Sequence, residues 1–568
     1  MTQVAVLGLP HRPPGRTSIG RQTFIAHEPG ALQYYIHKLV PYYNSLSATL
    51  LKMSATESDL FSTFLGVAKY WPWLLAVAAV VYMLWNWLGP NGMRHIPTVG
   101  SSAPILAYLS GLRYTKKARQ MLLEGYAKHA YTTGIYKVPM PDQWLVIVAG
   151  PQQIEELKRM SDDEVSNYGG VDELLSARFI LGQEVVDDPY HMPLVHAKLT
   201  RNLNEFHGIM KDEMWTAFDD LIGVSDEWTS VPALKTVMSI ISRTSNRVFV
   251  GLPLCRDPEF LSIATNITLD IAHSRFLINL FPPFMKPFVA KLVNQVPSRL
   301  RKAYAMIGPM VEARRQRAEE CKTNKEEWDD RPNDFLMWLV DEGVKKGYTN
   351  ESTVLYLLLM EFVALHTAAM SFTHALYYLA ADSSLVIPMR KEVEAILQEE
   401  GGDLGSRTAV SKMRYIDSFL RESQRMNGTN ATTIWRKTLK PVTFSSGVTV
   451  PPGVFLSAAA TATHLDETYH SDATVFNPWR FVGLDNARSF VSTTADFIAF
   501  GQGKHACPGR HFAAYELKLM LAHIVLYYDV KMQPGDEGVG VRPKNEWIGN
   551  SIIPDRNAHV LFRKRATS

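Results

Sequence analysis

Near the C-terminus the chain reads FGQGKHACPGR, Phe500 to Arg510, and runs on into the apolar stretch HFAAYELKLMLAHIVL. Cys507 therefore stands where a glycine-bearing loop gives way to a helix. A thiolate placed there is stabilised by unpaired backbone N–H groups and by the positive end of the helix dipole, which lower its pKa and tune it as a metal donor. Gly501, Gly503 and Gly509 let the backbone come close to a flat ligand. A single cysteine is more often a buried apolar thiol, but that reading leaves the glycines and the basic residues Lys504, His505 and Arg510 without a reason. Only three cysteines are present, Cys255, Cys321 and Cys507. That excludes a disulfide scaffold and fits a reducing compartment or a single-thiol site.

These groups need a large body to position them. The chain has 568 residues, 46% apolar and 20% charged, enough for a substantial core and unlike a disordered composition. A net charge of +3 offers no global basic field for nucleic acid. Between Ser352 and Ala381 the one charged residue is Glu361. Periodicity allows this helix to be a second membrane span or a central core helix; Glu361, His366, Thr367, Ser371, Thr373 and His374 within it favour the core. Strand signals are few: TGIYKVPM and WLVIVAG at 133 to 150, and TLKPVTFSSGVTVPPGVFLS at 438 to 457. The expected class is mainly α with small marginal β-sheets.

Tyr70 to Leu88, YWPWLLAVAAVVYMLWNWL, carries no charge and spans roughly 28 Å as a helix, with tryptophans at both ends. It reads as a single transmembrane anchor rather than a buried core helix, and it lies too deep in the chain for a cleaved signal peptide. The expected organisation is a segment 1–69 with Met53 as an alternative start, the anchor 70–88, a Pro/Gly hinge 89–104, and a catalytic domain 105–568. Arg94, Arg113, Lys116, Lys117 and Arg119 put that domain in the cytoplasm.

The string F-G-x-G-x-H-x-C-P-G resembles the haem-binding loop of the cytochrome P450 family. Glu422 and Arg425 in SFLRESQR resemble the family's E-x-x-R, both on one helix face, and Arg480 in FNPWRF resembles the arginine that closes its triad. The resemblance runs from about residue 95 to the C-terminus. The anchor is similar to that of microsomal eukaryotic members, and the wording of the central helix and cysteine loop to fungal ones.

The resemblance implies a P450-like fold binding haem b, with Cys507 as the axial iron ligand inside the loop of Phe500, Gly501, Gly503 and Gly509. His505 and Arg436, in TTIWRKT, are expected at the haem propionates. His196, in YHMPLVHAKLTRNL, stands where an arginine is usual and Met192 where its tryptophan is; a solvated or core histidine is an equal reading. In VALHTAA, Thr367 takes the place of the family's threonine and His366 that of its acid. Either the Thr367 hydroxyl relays protons to dioxygen with His366 replacing the carboxylate, or it only bonds back to a carbonyl one turn earlier. Ala364 and Ala368 leave room over the haem.

With no flavin or nicotinamide fingerprint in the chain, electrons are expected from NADPH through a separate cytochrome P450 reductase, with cytochrome b5 as an optional second donor. The implied activity is a monooxygenase acting on an apolar small molecule, a terpenoid or steroid of fungal specialised metabolism, with membrane lipid but no nucleic acid as partner. The implied location is the endoplasmic reticulum membrane, single-pass, with the catalytic domain cytoplasmic. FLINLFPPFMKPFVAKLV at 276 to 293 reads as a membrane-dipping segment or a buried core turn. Alternatives are a haem-thiolate isomerase, dehydratase or desaturase, and a non-catalytic haem-binding membrane protein.

Overall fold

One helix organises the rest. In the computed structural model, which describes Val77 and residues 92–565 apart from 282–283, 485–487 and 535–539, Asn350–Ala381 forms a single 32-residue helix. Thr349 starts it by accepting the Ser352 N–H at 3.1 Å. It is long and apolar enough to cross a membrane. Its sides are instead covered by other helices, so it serves as the core helix that its polar residues favoured. The expected anchor lies outside the described residues apart from Val77, as do residue 1–69 and the Met53 start.

In chain order the helices that matter are α1 (Pro104–His129), α2 (Leu203–Leu221), α3 (Ala233–Phe249), α4 (Pro258–Ile278), α5 (Lys286–Val293), α6 (Val296–Asn324), α7 (Asn350–Ala381), α8 (Arg414–Met426) and α9 (Arg510–Tyr527). α7 packs against α3, α4, α6 and α8. The largest apolar core, including Phe218, Ile241, Leu357, Phe372 and Leu521, lies among these helices.

At the margin is a five-stranded sheet of β1 (Ile135–Pro139), β2 (Trp144–Val148), β3 (Val165–Ser166), β4 (Thr433–Thr438) and β5 (Phe455–Ala458), in the order β1-β2-β5-β4-β3. Only β2 and β5 pair in parallel. Val146 and Val148 enter one apolar cluster while Leu145 and Ile147 enter another, so both faces of β2 are covered. That is why WLVIV is apolar without alternation. A three-stranded sheet of Thr229–Pro232, His559–Lys564 and Tyr528–Met532 and two short ladders complete the described strands.

Two expectations change in detail. Part of the hinge is packed: Ile96 and Val99 are buried, and the Val99 N–H donates to the Lys137 carbonyl at 3.0 Å. In the 276 to 293 segment, Phe276, Phe284, Phe288 and Leu292 are exposed while Ile278, Val289 and Ala290 are buried in the core, so the segment is amphipathic rather than wholly buried.

Candidate active site

The cysteine loop is held by its own backbone. Gly501 and Gly503 adopt φ +70° and +72°, which side chains with a Cβ rarely tolerate, and the Cys507 N–H closes the turn on the Phe500 carbonyl at 2.8 Å. The Phe500 ring meets the Phe490 ring edge to face at 5.5 Å. Gly509 caps α9 at φ −82°, and a Cβ there would meet only Val195 Cγ1 at 4.0 Å. The chain itself therefore does not demand glycine at that position.

The expected low thiol pKa needs correction. Burial pushes the Cys507 thiol up and outweighs the downward pull of the Gly509 and Arg510 backbone amides and the Arg510 guanidinium. A partly exposed thiol faced by amide donors suits binding to a metal cation as the thiolate.

Glu422, Arg425 and Arg480 come together as one cluster. Arg425 forms a two-point pair with Glu422, at 2.7 and 2.8 Å, and neither side chain touches solvent. Arg480 Nε reaches the same carboxylate at 3.1 Å. Arg425 Nη1 donates to the carbonyls of His464 and Ala473 at 2.6 and 2.7 Å, and Arg480 Nη1 to that of Ser471 at 2.6 Å. The cluster thus ties α8 to the 464–480 segment, which leads into the cysteine loop.

Arg436 sits on β4 beside a β-bulge, where Ile434 adopts φ +56° and re-aims the residues that follow it. It is buried, donates through Nη1 to Asn167 Oδ1 at 2.6 Å and to the Trp435 carbonyl at 2.8 Å, and pairs with no carboxylate among the described residues. Burial draws its pKa down to about 10. The Trp435 indole N–H beside it is buried without a partner. An unpaired cation and a free donor side by side suit the propionate of a haem. His505 is engaged differently: its Nε2 lies 2.7 Å from Asp162, which also takes Lys504 at 2.9 Å. His196 is exposed, so it is not a core histidine.

A cavity of about 690 Å³ opens beside α7, with Val363, His366 and Thr367 in its wall; Cys507 is not part of that wall. The Thr367 hydroxyl donates to the Val363 and Ala364 carbonyls at 2.8 and 3.2 Å, so the bond one turn back is made. His366 Nε2 lies 2.8 Å from the Thr265 carbonyl on α4. Since a carbonyl only accepts, the proton is on Nε2, and burial lowers the ring's pKa so that it stays neutral.

Residues 97–561 match the family model described as Cytochrome P450. Cytochrome P450 monooxygenase 151 of Postia placenta is 40% identical over 511 residues, covering 88% of this chain and 99% of that relative. Cytochrome P450 monooxygenase CYP512U6 of Ganoderma lucidum is 32% identical over 500 residues, covering 86% and 95%. The chain belongs to the cytochrome P450 family. Like these fungal relatives it is a monooxygenase, and P450 membership carries a haem iron with a thiolate ligand. Its fold is also that of the retinoic acid bound cyanobacterial CYP120A1, with TM-score 0.59 at 15% identity over 83% of this chain and 98% of that one.

Sequence reading missed four residues of this P450 cavity: His191, Trp435, Arg275 and Tyr114. His191, not His196, joins His366 in the wall; its Nδ1 is buried without a partner and burial lowers its pKa to about 4. The only signal was its place five residues before His196, in a helix start without charge pattern.

Proposed function

We propose that this P450 is membrane-anchored in the endoplasmic reticulum, takes electrons from a separate NADPH-dependent reductase, and oxidises a terpenoid- or steroid-sized apolar substrate held beside α7. The observation that carries this is the 690 Å³ cavity, walled largely by apolar side chains such as Leu181, Val185, Ile271, Phe362 and Val363. A bound haem, held by Cys507 with Arg436 and Trp435 at its propionates, supplies the activation of dioxygen and the transfer of one oxygen atom to carbon.

The chain's own residues do the rest. Apolar walls desolvate the substrate and keep bulk water away from the reacting carbon. Thr367 Oγ1, whose proton rests on the Val363 carbonyl, keeps its lone pairs free to accept a hydrogen bond from a cavity water and so to position that water as the proton donor. His366, with its proton fixed on Nε2, leaves Nδ1 as the acceptor where a carboxylate is usual. Phe284, Phe288 and Leu292 recur every four residues along an exposed face of the 284 to 292 stretch, which suits contact with lipid.

The test is turnover of a terpenoid and steroid panel with reductase, NADPH and isotopically labelled dioxygen. A product carrying one labelled oxygen is expected, and Thr367→Ala should consume NADPH with less product. A rearranged or dehydrated product without label, or none requiring NADPH, assigns the chain to isomerase or dehydratase chemistry instead.

A further inference from the structure

Arg436 and His505, the two basic groups expected at the haem propionates, come from separate elements, yet one segment, residues 158–168, touches both. Asp162 accepts from His505 Nε2 at 2.7 Å and from Lys504 Nζ at 2.9 Å. The Tyr168 ring meets the His505 ring edge to face at 6.5 Å. Asn167 Oδ1 accepts from Arg436 Nη1 at 2.6 Å. Burial lowers the Arg436 pKa and the charge of Asp162 pulls it back up, so Asp162 acts on both basic groups.

The segment is tied down on either side of these contacts. At one end the short helix Pro151–Arg159 lies so close to the cysteine loop that a Cβ on Gly503 would stand 2.9 Å from Lys158 Cγ. At the other end β3 pairs with β4, the strand that carries Arg436, and the Leu439 N–H donates to the Glu164 carbonyl at 2.8 Å. Three successive acids lie between. Glu164 folds back on the Ser161 N–H and hydroxyl at 3.0 and 2.8 Å, and Asp163 faces Lys440 at 2.7 Å. Asp162 is the one turned to the cysteine loop. Its side chain is 58% exposed against 17% for His505, so it fills no part of the core, and an exposed ion pair adds little to stability. The effect of the contact is orientation. A carboxylate on one ring nitrogen fixes the plane of an imidazole, as an amide oxygen fixes a guanidinium.

We propose that residues 158–168 form a haem-retaining strap, in which Asp162 holds His505 and Asn167 holds Arg436 in place for the propionates. Both are positioning residues, and the charge of Asp162 also bears on the iron's potential. This rests on the reading that Cys507 binds haem with Arg436 and His505 at its propionates.

The test uses the purified, haem-loaded full chain and reads haem transfer to excess apomyoglobin, the ferric–ferrous midpoint potential and helical circular dichroism. Asp162→Ala should lose haem roughly tenfold faster than wild type. Its midpoint potential should rise, because a negative charge near the iron is gone, and its circular dichroism should not change. Asp162→Asn keeps an acceptor without the charge, so it should recover part of the retention and keep the raised potential. Asn167→Ala should speed haem loss by a few-fold. In a His505→Ala background, Asp162→Ala should add little. Haem loss from Asp162→Ala at or below the wild-type rate overturns the proposal; a slower loss would mean that Asp162 competes with the propionates. An unchanged potential overturns it too, as does a full additive effect in the His505→Ala background. In each of those cases the wild type still holds thiolate-ligated haem and that reading stands. A wild type that takes up no haem overturns that reading and this one with it.

Discussion

Arg425 and Arg275 are both arginines on helices that pack against α7, yet they are treated in opposite ways. Arg425 is ringed by acceptors: the Glu422 carboxylate and the carbonyls of His464 and Ala473. Arg275 is only partly buried, its Nε has no hydrogen-bond partner, and the charge of Asp142 in the same cavity wall acts on it from a distance. Removing one partner of a fully buried charge pair costs several kcal/mol, whereas a partly exposed charge keeps solvent as its partner. The comparison separates framework from site. Where charge fastens the cysteine loop in place, the polypeptide closes it with a carboxylate in direct contact; at Arg275 on the cavity and at Arg436 on β4 no carboxylate among the described residues makes such a contact.

The sharpest way to break this contrast is on the framework side. Glu422→Ala leaves Arg425 and Arg480 as buried cations without their carboxylate, at a cost of about 3–5 kcal/mol. Haem-loaded, folded protein should be lost, as read by haem content per chain and by circular dichroism. Wild-type haem loading in that variant would put the cluster outside the framework.

An intermediate case sharpens it. Glu361 on α7 is fully buried, has the Asn246 amide at 3.2 Å on one oxygen and no partner on the other, and burial raises its pKa from 4.5 to about 8. Between those values the unfolded chain releases the proton while the folded chain keeps it. The folded state then holds more protons, so its stability falls as pH rises through that window and levels off above it. Glu361→Gln removes this dependence. Its stability relative to the wild type should grow between pH 5 and 8 by up to a few kcal/mol; a difference that does not vary with pH in chemical denaturation would show that Glu361 is ionised in the fold.

The smallest effect belongs to the cavity side. Because Arg275 is only partly buried and makes no close ion pair among the described residues, Arg275→Gln should change the melting temperature of substrate-free protein little, by the equivalent of about 1 kcal/mol or less. A loss on the scale of Glu422→Ala would mean that Arg275 is a framework residue.

The same contrast explains what could be read from the chain. FGQGKHACPG is legible because the cysteine, its turn glycines and the start of α9 are contiguous, and backbone geometry demands glycine at Gly501 and Gly503. Glu422 and Arg425 are legible because one helical turn joins them. The apolar run of β2 and the core role of α7 follow from composition that burial on all sides requires. Arg275, Tyr114, His191 and Trp435 come from four separate elements, and no spacing along the chain says that they meet. The face Thr268, Ile271, Ala272, Arg275 is periodic, but with polar members in it such a face reads as an ordinary surface. The thiol pKa was misjudged for a related reason: helix-end amides are visible in sequence, whereas the burial that outweighs them is a property of the assembled fold.

Cys507 is where framework and site meet, and the reduced carbon monoxide spectrum of wild type against Cys507→Ser tests that most directly. The wild type should show the long-wavelength band of a thiolate-ligated haem. Cys507→Ser should lose that band while its helical circular dichroism persists, since the Glu422 cluster does not depend on the sulfur. A Cys507→Ser protein that keeps the band would contradict the assignment of Cys507 and the division of the molecule built on it.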